Sequence, residues 1–164
     1  MQIGFVGLGA VVETAYLPAL QNTFGASLRC LGFDIQPART IDGVTRCPSL
    51  ADLLARPLDT LFITTASLQH LEVLEQALAS SIPRIVVEKP IVATLAQIDR
   101  VKTLLARPEA ASRVLALDHW MARINLVQLG LVRDLSDIVV VLPDRCEPRR
   151  AQRVGERAPG RSGC

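Results

Sequence analysis

The sequence predicts an α/β protein built on a doubly wound, mostly parallel sheet. Three observations predict it. Short apolar runs alternate with segments of helical periodicity, the first run opens directly into a glycine-rich turn, and the second run ends on a carboxylate. Parallel strands need crossover connections, and right-handed helical crossovers cover both faces of the sheet.

The elements follow in chain order. Residues 2–6 (Gln-Ile-Gly-Phe-Val) read as a buried strand, and the turn after them leads into a helix over 10–24. Pro18 lies inside that helix and predicts a bend, because proline removes a backbone donor and crowds the preceding turn. Residues 28–33 form a second strand closed by Asp34, followed by polar residues and Pro37, so chemistry facing a ligand is expected at its end. Ser49 starts a short helical pattern of Leu50, Leu53 and Leu54 that Pro57 ends, and residues 58–65 read as the next buried strand. Leu71, Leu74, Ala77 and Leu78 fall at helical spacing and are expected to pack on the sheet. Residues 85–87 form a further strand, and Thr94 with Gln97 gives a capping-box signature for a helix carrying Leu95, Ile98, Val101 and Leu105. Residues 114–117 are the fifth strand. Beyond Asp118 the rhythm weakens, with a helical pattern over 122–131 and a β-branched run over 138–142 that no partner follows.

This pattern divides the chain into a domain over residues 1–125, the start of a truncated second domain over 126–142, and a tail over 143–164. The tail is rich in arginine, proline and glycine and lacks hydrophobic periodicity, so it is expected to be disordered. The chain has sixteen arginines and two lysines, and the abrupt change of pattern also resembles out-of-frame translation of a GC-rich gene.

A length of 164 residues suits one domain with a proper core and is too short for two full ones. No apolar run approaches the roughly 18 residues that mark a bilayer span, and no basic leader precedes the first strand, so a soluble cytoplasmic protein is expected. Cys30, Cys47, Cys146 and Cys164 are scattered without the close pairs of a zinc site, which points to reduced thiols and no metal. The net charge of +2 misleads, because residues 145–164 hold six arginines against two glutamates and leave the body at −2. That body shows no basic stripe interleaved with aromatics, and neither a nucleic acid nor a membrane is an expected partner.

The turn Gly7-Leu8-Gly9-Ala10-Val11-Val12 carries the first two glycines of a dinucleotide fingerprint between a strand and a helix. Gly7 would permit the tight turn. Gly9 would let the backbone approach a pyrophosphate lying at the positive helix N-terminus, with Leu8, Ala10 and Val11 completing the cradle. Val12 stands where a third glycine or alanine is usual, and its branched side chain is expected to hold the helix off the strand. An ordinary strand-to-helix turn is the competing account. Asp34 stands where an acidic residue can accept hydrogen bonds from ribose hydroxyls and repel a 2′-phosphate, which favours NAD. Arg39 nearby keeps NADP open, and a solvated carboxylate is the bland alternative. Glu88-Lys89-Pro90 closes the strand over 85–87, at the sheet edge where open α/β folds bind ligands. Lysine can lose or share a proton where arginine cannot. Pro90 holds Lys89 extended and is a candidate for a cis bond, against the alternative of a surface ion pair and a turn.

Taken in order, the glycine turn, Asp34, Thr64-Thr65 at a strand end, His70 at a helix start and Glu88-Lys89-Pro90 resemble the glucose-fructose oxidoreductase, inositol dehydrogenase and MocA family. The likeness covers roughly residues 1–125. It implies a Rossmann-like domain in which Lys89 lies beside the nicotinamide and the reacting hydroxyl, with Thr65 and Glu88 contacting the cofactor. His70 would be structural or adjacent to the cofactor. Asp118-His119-Trp120 resembles the Asp-His sequence of glucose-6-phosphate dehydrogenases, where the histidine takes the hydroxyl proton, a task suited to a pKa near neutrality. His119 as a helix cap or partly buried polar residue competes with that role.

The resemblance thus implies an NAD(P)-dependent oxidoreductase. It would transfer a hydride between nicotinamide and a sugar, cyclitol or related secondary alcohol, with Lys89, His119 and Asp118 as catalytic candidates. The alternative is a dinucleotide-binding module without turnover. Apolar surface left by a missing domain would also favour self-association into a homo-oligomer.

Overall fold

A computed structural model describes residues 1–117. Six strands, β1 (Gln2–Val6), β2 (Arg29–Phe33), β3 (Val44–Arg46), β4 (Thr60–Ile63), β5 (Ile85–Val87) and β6 (Val114–Ala116), form one sheet in the order β3-β2-β1-β4-β5-β6. Every pairing is parallel. Strand order reverses between β1 and β4, so the two crossovers leaving there diverge and open a crevice at the carboxyl ends of the strands.

The five expected strands are present, and β3 is an addition. It is a three-residue edge strand, Val-Thr-Arg, that pairs Cys30 with Val44 through Gly32 with Arg46. So short a segment shows no alternation, and only its pairing with β2 makes it a strand.

Side chains alternate across the sheet and feed two cores. Ile3 and Phe5 of β1 face one side with Leu8, Val12, Leu17, Cys30 and Ile41. Val6 faces the other, with Leu61 and Ile63 of β4 and Ile85 and Val87 of β5. The second core is covered by α2 (Leu50–Leu54), α3 (His70–Leu78) and α4 (Leu95–Leu105), whose Leu53, Leu71, Leu74 and Ala77 are at most 1 % exposed. Each such leucine contributes roughly 1.5–3 kcal/mol by leaving water.

Local signals set the helix ends. The Ser49 side chain accepts the Asp52 amide at 3.0 Å and caps α2. Thr94 and Gln97 form the reciprocal capping box that opens α4, an arrangement whose removal costs about 1 kcal/mol. A short helix, α5 (Pro108–Ala111), precedes β6. The Arg113 guanidinium just after it donates to the Leu78, Ser80 and Ile82 carbonyls, closing the C-terminal end of α3.

The first crossover departs from the expected continuous α-helix over 10–24. Residues Val12–Tyr16 form a π-turn, with the Leu17 amide donating five residues back to the Val12 carbonyl, and α1 (Leu17–Phe24) begins with Pro18 in its first turn. Proline has no amide to offer and its ring crowds the turn behind it, so the ladder widens ahead of it instead of merely bending. Val12 is fully buried within the core beside Phe5, and this widened turn is where the helix accommodates it next to the strand.

Asp118 and His119, the patterns over 122–131 and 138–142, the proposed second domain over 126–142 and the tail over 143–164 lie outside the described residues. Among the described residues no helix is long and apolar enough to cross a membrane.

Candidate functional site

The glycine turn sits where β1 ends, against the end of β4. Gly7 has φ +94°, a left-handed conformation that side chains disfavour. A Cβ there would also lie 2.8 Å from the Thr64 carbonyl and the Thr65 nitrogen. Two independent constraints therefore require glycine at position 7. Gly9 differs, because a Cβ at that position would meet nothing within 4 Å. What glycine leaves at Gly9 is open space above the helix start, room for a ligand's approach.

Asp34 is bonded into this turn. Its Oδ2 accepts the Leu8 amide at 2.7 Å and its Oδ1 accepts the Gln36 amide at 2.8 Å. The Gly7 amide donates to the Phe33 carbonyl at 2.8 Å, so the end of β2 holds the turn through two adjacent residues. Arg46 of β3 reinforces the same corner by donating to the Asp34 and Arg39 carbonyls. The Leu8 side chain is buried in the core and its amide belongs to Asp34. Gly9, Ala10 and Val11 are the more accessible part of the turn, and helix geometry leaves the first amides without intrahelical acceptors.

Two cavities occupy the crevice and share Thr64 and Thr65. One, of about 400 Å³, is lined by Gly7, Gly9, Asp34, Gln36, Arg39 and Thr65 among others. The other, of about 600 Å³, is lined by Val11, Thr65, Ser67, His70, Glu88 and Lys89 among others. Together they run from the end of β2, across β1 and β4, to the end of β5. The Thr64 hydroxyl donates to the Val6 and Gly7 carbonyls and fixes the ridge between them.

At the β5 end, Glu88 is nearly buried while Lys89 is exposed. The Lys89–Pro90 bond is cis. Glu88 accepts the Lys89 amide on Oε2 at 2.7 Å, and its Oε1 accepts the Tyr16 hydroxyl from the first crossover. Burial, followed by the hydrogen bond to Glu88 and its charge, pushes the Tyr16 phenol well above its ordinary range. His70 is 1 % exposed, with Nδ1 2.8 Å from the Pro90 carbonyl and Nε2 2.9 Å from the Thr65 carbonyl. The ring spans the strand-end segments after β4 and β5, with one nitrogen close to a carbonyl of each.

The fold thus brings Gly7, Leu8, Gly9, Ala10, Val11, Asp34, Thr65, Glu88 and Lys89 to one sheet edge. Asp118 and His119 come after the last described residue and take no part in this geometry. Reading along the sequence overlooks Tyr16. It carries no motif, and the one signal available is that it is the single tyrosine of the chain, one residue before Leu17-Pro18.

Residues 1–115 match the model of a family described as oxidoreductase family, NAD-binding Rossmann fold. YceM of Salmonella typhimurium, which carries the name of an oxidoreductase, is 30 % identical over 110 residues, covering 65 % of this chain and 36 % of that protein. UDP-N-acetylglucosamine 3-dehydrogenase of Acidithiobacillus ferrooxidans superposes with a TM-score of 0.61 at 23 % identity, over 80 % of this chain and 41 % of that one. The myo-inositol dehydrogenase of Lactobacillus casei, solved with NAD(H) and myo-inositol, gives 0.61 at 22 % identity over 80 % and 41 %. At these identities the solved structures show a shared fold. The chain spans about two-fifths or less of the length of these relatives.

Proposed function

We propose, from the premise that the chain belongs to the oxidoreductase family with an NAD-binding Rossmann fold named for glucose-fructose oxidoreductase, inositol dehydrogenase and MocA, that its crevice binds NAD for hydride exchange with a sugar, cyclitol or related secondary alcohol. The observation that carries this reading is the open space over Gly9, beside a turn locked by Gly7 and Asp34. A diphosphate needs an unobstructed backbone at a helix start, and the open space at Gly9 supports that reading. The residues fit the dinucleotide elsewhere too. Asp34 keeps lone pairs that can accept an adenosine ribose diol, and Thr65, Glu88 and Lys89 line the far cavity.

The cofactor, when bound, carries the hydride. Gly9, Ala10 and Val11 would hold the diphosphate, with Gly7 and Leu8 shaping the turn beneath it. Asp34 would select a ribose bearing a free 2′-hydroxyl, favouring NAD, while Arg39 in the same cavity is the group through which NADP would still be tolerated. Lys89 would orient and polarise the reacting hydroxyl from the exposed end of β5, held by Glu88 beneath it. His119 remains a candidate base and Asp118 a further catalytic candidate, with His119 as a helix cap or partly buried polar residue the competing reading. The dinucleotide unit is assigned to residues 1–125, with the substrate-shaping residues beyond it and a self-associating chain as a further expectation.

Fluorescence titration of the purified chain with NADH and NADPH, followed by turnover on a polyol and sugar panel, tests the proposal. Saturable NADH binding, tighter than NADPH, with turnover is expected. Binding without turnover on any substrate would leave a dinucleotide-binding module, and no binding would remove the reading altogether.

A further inference from the structure

We propose that Tyr16 is a positioning residue for the nicotinamide end of the crevice, acting through Glu88 on the placement of Lys89. The inference rests on the dinucleotide reading and names a residue that no motif marks.

Three observations support it. The Tyr16 hydroxyl donates to Glu88 Oε1 across 72 residues of sequence, and Glu88 Oε2 accepts the Lys89 amide. A nearly buried carboxylate is thereby gripped at both oxygens by different elements, one being the first crossover and the other the end of β5.

The Tyr16 ring is itself anchored. It packs on Phe62 of β4 at 5.5 Å between centroids, and Phe62 packs on Phe5 of β1 at 5.4 Å. The phenol therefore projects from a fixed stack rooted in the sheet, and its hydroxyl can hold Glu88 where a flexible side chain could not.

Tyr16 also belongs to the π-turn. One extra residue in a helical turn rotates the downstream side chains by about 100° relative to a regular helix. Single π-turns recur at functional sites because they re-aim side chains in this way. Here the widened turn carries the hydroxyl that reaches the carboxylate next to Lys89.

Hydroxyl loss would remove one of the bonds that hold Glu88 and loosen the Lys89 segment while leaving the glycine turn and Asp34 untouched. A ligand that places a nicotinamide beside Lys89 should feel it, and one that stops short of that ring should not.

The test uses the full chain, NADH and ADP-ribose, which lacks the nicotinamide. Tyr16→Phe keeps the ring stack and removes only the hydroxyl. It should weaken NADH roughly three- to tenfold and change ADP-ribose by less than about twofold. In a double-mutant cycle with Glu88→Gln, the double variant should bind NADH no worse than Glu88→Gln alone, because both changes cut one linkage. The chain has one tyrosine, so ultraviolet difference titration reports it directly, and its ionisation should move down in Glu88→Gln.

Unchanged NADH affinity in Tyr16→Phe, an equal loss for ADP-ribose, or full additivity in the cycle would each overturn the role of Tyr16 while leaving nucleotide binding intact. A wild-type chain that binds neither probe would instead overturn the dinucleotide reading, and this inference with it.

Discussion

Replacing Asp34 with alanine probes the selectivity of the crevice, and the structure dictates what must be measured. The carboxylate does two jobs at once in the proposed complex. It holds the Leu8 amide of the glycine turn at 2.7 Å, and it would accept the ribose diol. Loss of the first bond leaves a partly buried amide without its charged acceptor, at a cost of about 1–3 kcal/mol in stability. Every nucleotide should feel the resulting looseness of the turn, so a weaker affinity for NADH alone proves little. Loss of the second bond falls on NADH, because NADPH presents a phosphate where NADH presents the hydroxyl. That difference is worth about 1.5–3 kcal/mol, or roughly 10–100-fold. Removal of the carboxylate also ends its repulsion of a 2′-phosphate and leaves Arg39 in the same cavity as an uncontested partner. The diagnostic quantity is the ratio of NADPH to NADH dissociation constants, measured by fluorescence titration on wild type and Asp34→Ala. It should fall at least tenfold. Equal factors of loss for the two cofactors would refute the ribose assignment and leave Asp34 as a clamp on the turn.

Three further outcomes are expected from the same geometry. Gly7→Val forces a branched side chain into a left-handed conformation against the Thr64 and Thr65 backbone, and should lower stability by about 3 kcal/mol or more, seen as a fall in the urea midpoint. His70→Ala removes the buried ring between the Pro90 and Thr65 carbonyls and opens a cavity, so a loss of about 2–4 kcal/mol is expected in urea denaturation, and a change below about 0.5 kcal/mol would contradict the bridging role. The Tyr16 phenol titrates higher in the folded protein than in the unfolded chain. Its contribution to stability is therefore complete below about pH 10 and is lost as pH rises above that value. Tyr16→Phe should remove this part of the alkaline decline, and identical pH profiles for the two proteins would count against it.

The legible parts of this fold are those set by neighbours in sequence. The spacing of Leu71, Leu74 and Ala77 shows which side of α3 meets the sheet, and Thr94 with Gln97 marks the start of α4 within a single turn. Val44–Arg46 is not legible, because an edge strand of three residues exists through pairing with β2 and has no pattern of its own. The π-turn is hidden for a related reason. Pro18 announces a disturbance of the helix, but whether the chain bends or widens depends on what the residues before it must reach, and Tyr16 reaches a carboxylate far away in sequence.

The same distinction separates what the motifs reveal about the site from what they hide. Gly7 and Gly9 look alike in the sequence, yet one is required by backbone conformation and a close contact, and the other leaves space for a visitor. Asp34 reads as a ligand contact and is also a fastener of the turn that would receive the diphosphate. Glu88 reads as a cofactor contact, and its two oxygens also accept bonds within the protein, from Tyr16 and from the Lys89 amide. A lysine on an exposed strand end has four rotatable bonds and no fixed direction of its own. Its precision must come from the backbone that carries it, which Glu88 holds through the Lys89 amide.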